Sequence, residues 1–140
     1  MKIPGQTVLK EKKTVEFKPE QWEEWITRKE GLPREAIEFC EVFAYDLIQG
    51  SPLTTSQIRN FFGEVRRIQL KGFEQNKMDF YMLKPKLAYN KSRQGNENKI
   101  HLFYEVVSQL IDKVNDEVSY NNFATFIEAV IAYHKAHGGK

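Results

Sequence analysis

Apolar residues recur along this chain at steps of three and four, the period of an amphipathic helix. Segment 1–18 is polar and Lys-rich, carries Pro4 and Gly5, and reads as a flexible arm. The helical pattern begins at Pro19, and proline suits a first helical turn because its missing N–H leaves no bond unmade there. A helix from 19 to about 30 places Trp22, Trp25 and Ile26 on one face and stops at Gly31. Pro33 opens a second, to about 48, whose stripe is Ile37, Cys40, Ala44, Leu47 and Ile48; Gly50, Ser51 and Pro52 end it. The third has the clearest start, with Thr54 followed three residues later by Gln57 in capping-box spacing. Its Ile58, Phe61, Phe62, Val65 and Ile68 fall within about 120° of one another at 100° per residue. Gly72 ends or loosens it. A fourth helical segment covers about 76–83, and Pro85 forces a kink or break before 86–93.

Residues 92–98 (SRQGNEN) form a polar loop. A fifth helix over about 98–117 repeats Ile100, Phe103, Val107, Leu110 and Val114. A last one over about 121–137 aligns Phe123, Phe126, Ile127, Val130, Ile131 and His134, and ends at Gly138 and Gly139. No segment sustains a period of two, and no Asn-Gly or Asp-Gly hairpin signal occurs. The expected fold is all-α: a compact bundle of five or six helices forming a single helical domain over 19–140.

Composition narrows the class. At 140 residues, with 41% apolar content and ten Phe, the chain can bury a real core. The single cysteine, Cys40, excludes an internal disulfide and a cysteine-based zinc site, and its place on an apolar stripe predicts an inert buried thiol. No apolar run approaches 18 residues and the N-terminus lacks the apolar core of a signal peptide, so the expectation is a cytoplasmic protein that spans no membrane.

Charge changes the picture more. Residues 54–99 carry ten Lys and Arg against four Asp and Glu, while the rest carries eleven against fifteen. A net charge of +2 therefore hides a polarised molecule, and a concentrated basic segment is the footprint of a polyanion partner. On the third helix Arg59 and Arg66 lie seven apart and almost in line, with Gly63 between them, where a missing side chain lets a bulky partner approach. Arg67 and Lys71 make a second row about 100° round. Guanidinium groups bind phosphate oxygens two at a time, and Lys adds mobile charge. Lys77, Lys84, Lys86, Lys91, Arg93 and Lys99 follow, interleaved with Phe80, Tyr81 and Tyr89. Helical spacing buries Phe61, Phe62 and Phe80, which leaves Tyr89 as the stacking candidate.

No enzymatic constellation is present. The chain has no phosphate-binding glycine loop, nucleophile elbow or His-Glu-x-x-His, and no cofactor is expected. His134 reads as a core or helix-end histidine; His134 and His137 could form one edge of a metal site, but nothing nearby completes it. His101 has no evident partner. Glu23, Glu24, Glu35, Glu38 and Glu41 read as solvated acidic faces of the first two helices. Such a face could meet the basic surface of another copy or of a basic partner.

Three blocks, LTTSQIRNFFGEVRRI, LKPKLAYNKSR and NFATFIEAVIAYHKAHGG, occur in this order over roughly 50–140. Together they resemble the small subunit of the type III-A (Csm) CRISPR effector complex. The resemblance implies a small helical subunit without catalytic activity in an antiviral ribonucleoprotein. Several copies would stack beside the backbone subunit that carries the guide RNA, contacting the guide–target duplex through its backbone. It places the family's basic positions on Arg59, Arg66 and Arg67, with Lys84, Lys86 and Lys91 from the second block. Lys71 and Arg93 join them from the basic segment itself. The implied partners are guide RNA, target RNA, the other Csm subunits and further copies of the chain. The residues alone also fit a DNA-binding helical module reading through 56–69, or a protein–protein adaptor with a basic face.

Overall fold

A computed structural model describes residues 18–50, 52–94 and 98–140. Among them seven helices run in chain order: α1 (Pro19–Thr27), α2 (Arg34–Leu47), α3 (Thr55–Lys71), α4 (Lys77–Tyr81), α5 (Leu83–Ser92), α6 (Ile100–Lys113) and α7 (Glu117–Ala136). The all-α expectation holds. The expected arm lies, except for Lys18, outside the described residues, as do 95–97 of the expected loop.

The count exceeds six because the fourth and fifth pieces are separate helices. Pro85 has no N–H for the Tyr81 carbonyl and its ring crowds that oxygen, so the α-helical run breaks at Met82. Pro85 itself then sits in the first turn of α5, where a missing donor matters little. The two C-terminal helices meet four residues earlier than expected. Val114 is extended, and Asp116 caps α7 with Ser119 in a reciprocal pair. The Asp116 carboxylate accepts from the Ser119 N–H at 2.8 Å, and the Ser119 hydroxyl accepts from the Asp116 N–H at 3.0 Å.

α7 is the central helix. It packs against α1, α2, α3 and α6, and buries Tyr120, Phe123, Phe126, Ile127 and Val130. Around it the rings interlock: Phe39 lies 5.5 Å from both Trp22 and Trp25 and 5.9 Å from Phe126, and Phe43 stacks on Phe103 at 6.0 Å. Such pairs add roughly 0.5–1.5 kcal/mol each beyond area burial. The tryptophan helix α1 is therefore part of the packed core. The Asn122 amide fastens it further, donating to the carbonyls of Ile26 (2.9 Å) and Arg28 (2.7 Å).

One acidic expectation needs adjustment. Glu41 is fully buried rather than solvated, because α7 covers its side of α2. His137 reaches it, Nε2 donating to Glu41 Oε2 at 2.8 Å. His134 is a core histidine, as expected, with Nε2–H donating to the Leu53 carbonyl at 2.8 Å. Each ring thus has a structural partner.

Candidate nucleic-acid interface

The orientation of α3 decides which way its cations face. The Thr54 hydroxyl accepts from the Gln57 N–H at 3.2 Å, and the Gln57 side chain accepts from the Thr54 N–H at 2.9 Å, so the helix starts where the capping box fixes it. Ile58, Val65 and Ile68 are buried, with Phe61 and Phe62 half-buried beside them. The buried Tyr120 of α7 donates its hydroxyl to the Val65 carbonyl at 2.7 Å, and Gln69 donates to Asn121 at 3.2 Å. Burial pushes the Tyr120 phenol well above its ordinary range, so it stays a donor. With that face pinned to α7, Arg59, Gly63, Arg66 and Leu70 form an exposed line on the opposite side.

The eight candidate cations divide into two groups. Arg59, Arg66, Lys71, Lys86 and Arg93 are exposed and have no carboxylate partner among the described residues. The Arg66 guanidinium only brushes Gln69 at 3.4 Å and the Phe62 ring at 6.0 Å, while that of Arg93 lies 5.6 Å from the Tyr89 ring. The other three are engaged within the chain. Arg67 pairs with Glu64 at 2.8 Å and Asp79 at 3.3 Å, which ties α3 to α4. The hydrogen bond to Glu64, and then that to Asp79, raises the Arg67 pKa further, so its charge is permanent. Lys84 pairs with Asp112 at 2.8 Å, joining α5 to α6, and Lys91 lies 4.3 Å from the Tyr104 ring. Two more cations of the segment are likewise engaged, Lys77 with Glu74 and Lys99 with the buried Asp46.

The aromatics are partly as expected. Phe80 is buried against Phe73 and Tyr120, and Tyr89 is 63% exposed. Tyr81, at 57% exposed, is a second candidate for stacking that spacing alone did not separate from the core. Tyr89 also lines a shallow groove of about 390 Å³ with Met82, Pro85, Lys86 and Asn90. The arrangement offers bidentate guanidinium donors, mobile ammonium groups and flat rings, with no acid–base pair or nucleophile among them.

The Csm2 type III-A family model matches residues 32–140. The chain belongs to this Csm2 family. It is accordingly a small subunit of the type III-A CRISPR effector complex and associates with other Csm subunits. No curated protein and no solved structure matches it. All eight candidate cations lie inside the matched region, and so does the capping box that sets their direction. The Trp22 and Trp25 helix precedes the Csm2 match but packs on the same core. Among the described residues no helix is long and apolar enough to cross a membrane, and no three His, Cys, Asp or Glu side chains are grouped to hold a metal ion.

Proposed function

We propose that this Csm2-family subunit is a non-catalytic RNA-binding protein of the cytoplasm. It contacts guide and target RNA through their backbones and stabilises the type III-A complex in antiviral defence. The observation that carries this reading is the set of five exposed cations that have no carboxylate partner among the described residues, on α3, on α5 and at the C-cap of α5, helices that pack side by side. Phosphates and 2′-hydroxyls carry no base identity, so such contacts suit a complex in which base pairing reads the sequence. Arg67, Lys84 and Lys91 serve as a second tier, since RNA must compete with contacts they already make. Further copies of the chain are partners in the same assembly, the acidic exterior of α1 and α2 in one copy meeting basic surface in the next.

The test is binding of the purified chain to single-stranded RNA, duplex RNA and duplex DNA at two salt concentrations, beside Arg59→Ala/Arg66→Ala. RNA binding that weakens with salt is expected. The slope of log K against log salt should fall by about two in the double variant, roughly one per phosphate contact removed. Equal or tighter binding of DNA would favour a DNA-binding module. Absence of nucleic-acid binding would favour the adaptor role.

A further inference from the structure

A second opening lies between α3, α5 and α6. Its volume is about 190 Å³, below the ~300–1,000 Å³ typical of clefts for drug-sized ligands, which suits a group the size of one heterocycle. Phe61, Phe103 and Leu87 give it apolar walls. Asn60, Asn90 and Gln94 give it a polar lining, and among the described residues none of these three carboxamides has a hydrogen-bond partner. No described carboxylate lines it, and its one cation is Arg93. Asn60 directly follows Arg59, about 100° further round α3, so the lining of the cleft adjoins the exposed basic row.

We infer that this cleft takes a single unpaired nucleobase of the RNA bound on the basic surface. The inference rests on the RNA-binding reading and adds a base site to it. Apolar and aromatic walls receive the flat faces of a base, and carboxamides match its edge because each carries both a donor and an acceptor. Amide groups can turn to present either, so three of them accept any of the four bases. That keeps the site as indifferent to sequence as the phosphate contacts around it. Arg93 supplies the charge for the phosphate of the same nucleotide.

The experiment uses RNA duplexes carrying 2-aminopurine, either fully paired or as a single-nucleotide bulge, with wild type and Asn90→Trp, which fills the cleft from an exposed position on α5. Wild type should bind the bulged duplex about tenfold more tightly than the paired one, with a change in probe fluorescence as the base leaves its stack. Asn90→Trp should lose that preference and the fluorescence change while still binding the paired duplex. Paired and bulged duplexes bound equally by wild type would overturn the base site and leave the RNA-binding reading standing. A preference that survives Asn90→Trp would overturn it too. Failure to bind either duplex would overturn both readings together.

Discussion

Gly63 illustrates how a single position separates folding from function. It sits mid-helix on the exposed line between Arg59 and Arg66, and a Cβ there would meet nothing within 4 Å. None of the described residues requires glycine there, yet glycine in a helix interior costs about 0.5–1 kcal/mol relative to alanine. Gly63→Ala should therefore stabilise the fold by about that amount in denaturant unfolding. It should also weaken RNA binding, because the methyl group holds a backbone away from the helix. A variant more stable than wild type that binds RNA equally well would remove the close approach. Gly139 is the opposite case: its N–H donates to the His134 carbonyl at 2.8 Å, and a Cβ on it would collide with the His134 imidazole. The sequence shows both glycines, but only the fold distinguishes an open surface from a tight contact. Glu41 makes the same point, since it is buried by α7, at whose end His137 bonds to it from 96 residues away.

At the level of elements, helix starts were legible wherever a local signal specifies them. Thr54 and Gln57 announce α3, and Pro19 and Pro33 mark the first two starts, because capping and proline chemistry act within one turn. The Asp116 and Ser119 cap is not legible in the same way, because the apolar stripe of α7 begins later than the helix itself. The Ser119 amide, and then its hydroxyl, hold the Asp116 carboxyl below its ordinary range. The ionised cap therefore stabilises the fold above the unfolded carboxyl's pKa of ~3.9, and that contribution is lost as pH falls through the lower folded value. Asp116→Ala should cost about 1 kcal/mol near neutral pH, and its deficit against wild type should shrink in acid. Unfolding curves at pH 7 and at about pH 2.5 would check this. An equal deficit at both would mean that the carboxylate charge plays no part in the cap.

Across the whole molecule, α7 packs against both the acidic helices α1 and α2 and the basic helix α3. An acidic face and a basic face on one subunit suit head-to-tail contacts between copies. Glu24 and Glu35 are exposed on the acidic side. Complexes reconstituted with Glu24→Lys/Glu35→Lys should retain fewer copies of this subunit by native mass spectrometry, and more so at low salt, where surface charge is least screened. An unchanged copy number would exclude this face from the contact.

By itself the sequence determined the helical period, most helix starts, the charge split and the family, because each is written in local spacing or word order. Tertiary structure alone decided which cations remain available to a ligand. Arg67 meets Asp79 across 12 residues, Lys84 meets Asp112 across 28 and Lys99 meets Asp46 across 53. An ion pair forms only where packing brings its two charges within a few ångströms, and no periodicity along one helix records the position of a carboxylate on another.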